Sequence, residues 1–306
     1  MALALVTGAG GFAGRHLVEH LQRMGDDVVA ASRHNSPDVL DAPGWVRYLN
    51  EHRPEVLYHL AGQASVAESW VNPAATFEVN ALGTLHVLSA CRDAKVSRVV
   101  VVSSSDVYGH VGVNDLPITE SAPLRPVTPY AASKAAAEQV AVQAFCGFEQ
   151  YVVIARAFTH IGVGQDDRFV AAALALRIAD NERSGAKRVP VGNLTPQRDF
   201  SDVRDVVAAY RLLAAHGQPG ATYNVCSGHA VAIHQLAHWL LGSASHPMQL
   251  AVQEDLQRPV EVPRFLGDNR RLVAATNWQP THTLPETLNV VLADARRRVS
   301  QHPGTA

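Results

Sequence analysis

The chain has 306 residues, 47% hydrophobic and 18% charged, enough to bury a sizeable core in one large domain or two smaller ones. Its 26 basic and 28 acidic side chains leave a formal net charge of −2, without the basic excess that nucleic acid or an anionic membrane surface requires. Cys91, Cys146 and Cys226 are scattered and form no CxxC pair, which argues against a disulfide scaffold, and no apolar run approaches the ~20 residues of a membrane span.

The first residues lack a basic leader and run straight into glycines, so they read as a buried strand, and a cytoplasmic protein is expected. In chain order, residues 3–6, 28–31, 56–60, 99–102 and 151–155 are short, aliphatic and β-branched, and are predicted strands. Between them, 14–24, 46–51, 74–91 and 130–145 carry apolar residues at helical spacing. Parallel strands need long crossovers, so this alternation predicts an α/β fold with a doubly wound parallel sheet covered on both faces. Beyond Arg156 glycines and prolines break the pattern. A helix is predicted at 168–180, another at 201–215 and a strand at 222–225, with an irregular tail from about 228. The expected division is a larger domain of 1–156 plus about 199–226, and a smaller C-terminal domain of about 157–198 plus 227–306.

The first strand runs into TGAGGFAG at 7–14 and then a helix, the context in which a glycine loop binds a dinucleotide. Gly8, Gly11 and Gly14, with Phe12 and Ala13 between them, supply the tight turn and the close approach to a pyrophosphate; Gly8, Gly10 and Ala13 satisfy an alternative frame. The second strand ends without the acidic residue that meets a free ribose 2′-hydroxyl. Ser32 and Arg33 stand there instead, which favours the 2′-phosphate of NADP(H). Asp38 and Val39 fall where a short third strand would reach the adenine.

Thr128 and Pro129 form a helix start, and Tyr130 and Lys134 follow on one helical face. An ammonium beside a phenol lowers its pKa from about 10 and makes it a usable acid or base near neutrality. Upstream, SSSDVYG at 103–109 places hydroxyls at the carboxyl end of the fourth strand, where open α/β sheets bind ligands.

Together with HLAG at 59–62 and NALGT at 80–84, these motifs resemble the extended short-chain dehydrogenase/reductase family, whose members modify nucleotide sugars on a Rossmann-like fold. The resemblance covers nearly the whole chain. It implies that Ser104 orients the reacting oxygen, Tyr130 transfers the proton and Lys134 holds the nicotinamide ribose, with Ser105 and Asp106 completing the catalytic set. It also places Leu60, Ala61, Gly62 and Asn80, as well as Tyr130 and Lys134, against the cofactor.

Within that family the second half is most similar to reductases of GDP-4-dehydro-6-deoxymannose. The resemblance implies a smaller substrate-binding domain in which Thr159, Phe169, Val170, Asn193, Arg198, Arg258 and Glu261 contact a nucleoside-diphosphate sugar. Arg198 and Arg258 suit a diphosphate, and Glu261 a ribose hydroxyl. Ala157 and Thr159 depart from the branch, which carries proline and asparagine there. The expected reaction is NADPH-dependent reduction of a C4 ketone on a 4-keto-6-deoxyhexose. The alternatives are a 4,6-dehydratase, for which Asp106 stands where a glutamate is usual, a 4-epimerase, and a non-enzymatic NADP-binding regulatory or scaffold protein. The apolar exteriors of 74–91 and 130–145 predict a homodimer. No metal is expected: His16 with His20, and His234 with His238, read as surface pairs, 296–298 as a solvated helix end, and Cys226 as a small buried hydrophobe.

Overall fold

In the computed structural model, which describes residues 2–253, 256 and 262–301, the aliphatic runs of the first half become β1 (Leu3–Thr7), β2 (Asp27–Ala31), β3 (Val56–His59), β4 (Arg98–Ser104) and β5 (Val152–Ala157). The second half adds β6 (Thr159–Ile161), β7 (Arg188–Val191), β8 (Gln197–Asp202), β9 (Thr222–Val225), β10 (Ala230–Ala232), β11 (Gln249–Val252) and β12 (Arg264–Phe265). Six of these form one parallel sheet in the order β2-β1-β3-β4-β5-β9. From β1 the chain goes outward to β2 and then returns past β1 to β3. The crossovers therefore part at the carboxyl ends of β1 and β3, where such sheets open a crevice for ligands.

Helices α1 (Phe12–Arg23), α2 (Ala42–His52), α3 (Val66–Val71), α4 (Pro73–Phe77), α5 (Gly83–Asp93) and α6 (Pro129–Phe148) belong to the first half. The second half contributes α7 (Val170–Ser184), α8 (Val203–His216), α9 (Ile233–Gly242), α10 (Arg270–Thr276) and α11 (Leu284–Gln301). Side chains alternate across the strands and feed two cores. Ala4, Val6, Tyr58, Val100 and Val153 pack under α1, α8 and α10, whereas Leu5, Leu57, Val99, Val101 and Ile154 pack under α2, α5 and α6. A third core joins α7, α9 and α11 with β7 and β8, and a fourth, of Val107, Tyr108, Ile118, Phe158, Cys226 and Phe265, lies where the halves meet. Cys226 is thus fully buried among apolar neighbours.

Several elements differ from the local pattern. The helix predicted over 74–91 is interrupted by a π-turn, Glu78–Leu82, that carries Asn80; such insertions accompany functional positions because they re-aim a side chain. No strand forms at Asp38 and Val39. The Asp38 carboxylate accepts from Leu40 N and its carbonyl from Trp45 Nε1, so this segment is a turn anchored to α2. Where a helix is predicted from residue 201, β8 runs first, between β10 and β12 and beside β6, and only then does α8 return to the main sheet. In the predicted solvated run 296–298, Arg296 and Arg297 are exposed, and the side chains also find surface partners. Arg296 pairs with Glu182 at 2.7 Å and Arg298 donates to the Gln165 carbonyl at 3.2 Å. His16 is inward, bonded through Nε2 to the Val163 carbonyl at 2.9 Å and edge-on to Phe12, whereas His234 and His238 are exposed. Among the described residues no helix is long and apolar enough to cross a membrane.

Candidate active site

The crevice is floored by two backbones in close approach. Gly8 follows β1 with φ of 68°, and a Cβ there would lie 2.8 Å from Ala61 N, in the loop after β3. A Cβ at Gly14 would run into the Gly8 carbonyl, whereas one at Gly10 would meet only Ser32 Cβ at 3.6 Å. Packing therefore selects the Gly8–Gly11–Gly14 frame over the alternative. Gly11 is the N-cap of α1 without a side-chain cap, and the first turn holds no acidic residue. The first-turn amides, those of Phe12 and Ala13 among them, thus present the positive end of a helix to an anion. This cradle fits a dinucleotide pyrophosphate.

At the end of β2, Asn35 organises the loop: its Oδ1 accepts from Ser32 N at 2.7 Å and Ser32 Oγ at 2.9 Å, and its Nδ2 donates to the Ala30 carbonyl. Arg33 is exposed beside it. Behind the β3 loop a buried polar chain holds the floor. Thr7 Oγ1 accepts from Leu60 N and Ala61 N at 3.1 Å and bonds His59 Nδ1 at 2.9 Å, while His59 Nε2 meets Thr84 Oγ1 at 3.1 Å. Burial, with Lys134 nearby, pushes the His59 imidazole down to about 3, so it stays neutral and serves as a spacer. Asn80 is 2% exposed and its amide bonds within the protein. It accepts from Gln63 N at 2.8 Å and donates to the Gln63 carbonyl and to Ser133 Oγ, clamping the Gly62 loop to α6. Asn80 thus supports the wall beneath Gly62, where a Cβ would lie 2.9 Å from its Oδ1.

The reacting corner forms where β4 meets α6. Thr128 caps the helix through Ala131 N at 3.0 Å, with Pro129 in the first turn, as the local residues predict. Ser104 ends β4, opposite Ala157 of β5, and its Oγ accepts from Asp106 N at 3.2 Å. Ser104 acts on the Tyr130 hydroxyl, Lys134 follows one turn along α6, and Ser105 is buried. The expected direction of the tyrosine shift is reversed. Burial and the Asp106 carboxylate push the phenol well up, and the Ser104 bond only partly offsets them. Lys134 turns its ammonium to the Val102 carbonyl at 2.6 Å, and burial brings it down to about 8.

On the opposite side of the cleft Thr159 begins β6, immediately beyond β5 and half-buried. Phe169 and Val170 start α7, Asn193 accepts from Thr195 in the turn after β7, and Arg198 on β8 donates to the Val262 carbonyl at 2.7 Å. These residues come from β6, the start of α7, the turn after β7 and β8. Arg258 and Glu261 lie outside the described residues. Asp199, 1% exposed, accepts from Ser227 N, Ser227 Oγ, Gly228 N and Gly267 N and so fixes the loop after β9 against β8. Thr7, His59 and Thr84 each fall within one of the quoted motifs, but nothing in the sequence joins them, or Asp199 to its partners, because those partners lie far apart along the chain.

A doubly wound sheet with a glycine cradle and a serine–tyrosine–lysine corner is the build of a nucleotide-sugar epimerase, dehydratase or reductase. Residues 4–226 match the NAD dependent epimerase/dehydratase family, and the chain belongs to that family. It is 38% identical to GDP-6-deoxy-D-mannose reductase of Pseudomonas aeruginosa over 298 residues, 97% of this chain and 98% of that protein. The solved structure of RMD from Pseudomonas aeruginosa complexed with NADPH aligns with a TM-score of 0.92 at 37% identity, covering 98% of this chain and 100% of that one. GDP-mannose 4,6-dehydratase of Vibrio cholerae is 24% identical, over 98% of this chain and 95% of that protein.

Proposed function

We propose that the chain is an NADPH-dependent reductase of the C4 ketone of a nucleoside-diphosphate 4-keto-6-deoxyhexose, with GDP-4-dehydro-6-deoxy-D-mannose as substrate. The end-to-end likeness to GDP-6-deoxy-D-mannose reductase carries this reading. Gly8, Gly11, Phe12, Ala13 and Gly14 hold the pyrophosphate of NADPH, and Ser32 and Arg33 its 2′-phosphate. When bound, the cofactor supplies a hydride to C4. Ser104 and Tyr130 hold the ketone oxygen, and Tyr130 gives it the proton that completes the alcohol. A phenol pushed well above its ordinary value stays protonated through the physiological range, the form a reduction requires. Lys134 binds the nicotinamide ribose. Thr159, Phe169, Val170, Asn193 and Arg198, with Arg258 and Glu261, receive the sugar nucleotide.

Asp106 supports the 4,6-dehydratase as second reading, because its carboxylate acts on Tyr130 and could take a proton from C5. The assay that separates them offers GDP- and dTDP-linked 4-keto-6-deoxy sugars and GDP-mannose, follows NADPH absorbance and identifies products by NMR. Stoichiometric NADPH loss with the GDP-linked keto sugar supports the reductase. Conversion of GDP-mannose to a keto product without net cofactor use replaces it by the dehydratase.

The protein works as a homodimer in the cytoplasm. Trp70 at 63%, Phe77 at 39%, Leu82 at 41%, Leu85 at 39% and Phe148 at 51% exposure leave an apolar surface on α3 to α6 that a second copy would cover. Light scattering at micromolar concentration should return twice the chain mass, and a monomer contradicts the pairing.

A further inference from the structure

Tyr130, Lys134 and Glu138 recur at every fourth residue of α6 and share one face, and β4 meets that face with three consecutive residues. Ser104 acts on the Tyr130 hydroxyl, the Val102 carbonyl takes Lys134 Nζ at 2.6 Å, and Ser103 donates to Glu138 Oε1 at 2.5 Å. Glu138 is 1% exposed, one turn behind the lysine. Arg156 on β5 closes on its carboxylate, with Nε at 2.9 and 3.1 Å from the two oxygens and Nη2 at 2.6 Å from Oε2. The same guanidinium donates from Nη1 to the Tyr108 hydroxyl at 2.9 Å, and Tyr108 donates in turn to Asn224 Oδ1 at 2.6 Å. Tyr108 ends the short turn that begins after Ser104 and carries Asp106, so one arginine braces both sides of the reacting corner.

Stability alone does not call for this arrangement. A buried ion pair contributes little net stability compared with well-packed apolar side chains, because desolvation offsets its attraction. What a carboxylate with four directed bonds does provide is register. The helix cannot slide or turn against β4 and β5 without breaking them together.

We propose that Glu138 is a positioning residue for the reaction: held between Ser103 and Arg156, it sets α6 against β4 so that Tyr130 and Lys134 reach Ser104 and Val102 together, and it places a negative charge behind the lysine. The kinetic part of this inference rests on the reductase reading, and the structural part does not.

Glu138→Gln keeps the shape and removes the charge that holds Arg156. Its kcat should fall on the order of a hundredfold, the loss that a displacement of about 1 Å brings. KM for the keto sugar should stay within about twofold, since ground-state binding is untouched. Glu138→Asp should recover part of the loss. The groups around Lys134 are Glu138 on its own helix, neutral His59 on β3 and, behind Glu138, Arg156 on β5, with Asp106 beyond Tyr130. Glu138 raises the lysine pKa, so its neutral replacement should move the alkaline limb of kcat to lower pH, an effect that lost stability does not produce.

If Glu138→Gln does not fold, Ser103→Ala removes only the bond to β4 and should show a smaller loss with the same split between kcat and KM. A crystal structure of the folded variant gives a readout independent of turnover, in which Tyr130 and Lys134 should leave Ser104 and Val102. The inference is overturned if both side chains stay in place, or if kcat and its alkaline limb match the wild type while only Tm falls. Wild-type protein that reduces no keto sugar nucleotide would overturn the proposed function instead and leave the structural arm intact.

Discussion

At the reacting end of the cleft the polar groups behind Tyr130 are tied into the fold, through Ser104, the Val102 carbonyl and the Ser103–Glu138–Arg156–Tyr108–Asn224 chain. At the opposite end Arg33 is exposed, and the loop is shaped by the single amide of Asn35 around Ser32. The contrast matches the roles proposed for the two ends. Proton transfer needs reacting atoms placed to a fraction of an ångström, which only an over-determined buried network secures. A 2′-phosphate is recognised by charge and by several interchangeable donors, so an exposed arginine is sufficient.

The contrast can be broken most forcefully at Tyr130. Tyr130→Phe removes the proposed proton donor and leaves the network standing, so kcat should fall by about 10²–10⁴ with NADPH and sugar affinities retained. Stopped-flow reduction together with equilibrium cofactor binding measures both, and near-wild-type turnover would strip Tyr130 of its role.

A second test strikes the network itself. Arg156→Gln leaves the Glu138 carboxylate buried without its cation, and breaking such a pair costs about 3–5 kcal/mol. Urea unfolding should show that loss; a change below about 1 kcal/mol would mean that water or a shifted side chain compensates, as at an exposed pair.

The smallest effect is expected at the open end. On the proposed contact of Arg33 with the 2′-phosphate, Arg33→Asp replaces attraction by repulsion and should move preference towards NADH by at least about tenfold, the worth of one charge-assisted hydrogen bond. Tm should not move, because Arg33 is exposed. Equal affinities for both cofactors before and after the substitution would remove Arg33 from the site.

The glycine loop, the helix start at Thr128 and Pro129, and the placing of Tyr130 and Lys134 on one helical face were legible because each is a matter of local spacing. A strand ends, a turn tightens, and side chains four apart share a helical face. The parallel sheet was legible for a similar reason, since strand and helix periods differ and alternate along the first half.

Other features depend on residues distant in sequence. Whether Gly10 or Gly11 belongs to the working frame depends on what a Cβ would strike, and the decisive atoms include the Gly8 carbonyl and Ser32. Asn80 has a motif position that suggests cofactor contact, and its amide also bonds Gln63 and Ser133, which only the fold brings to it. Lys134 sits where a lysine would lower the tyrosine pKa, but its ammonium goes to the Val102 carbonyl and burial drives the phenol the other way. β8 falls within a stretch that reads as loop and helix start, and it is a strand because β6, β10 and β12 supply its hydrogen-bond partners. The sequence by itself determined the periodicities and the chemical types at the corner; the tertiary structure decided the partners, because burial and hydrogen-bond satisfaction are properties of groups brought together from distant parts of the chain.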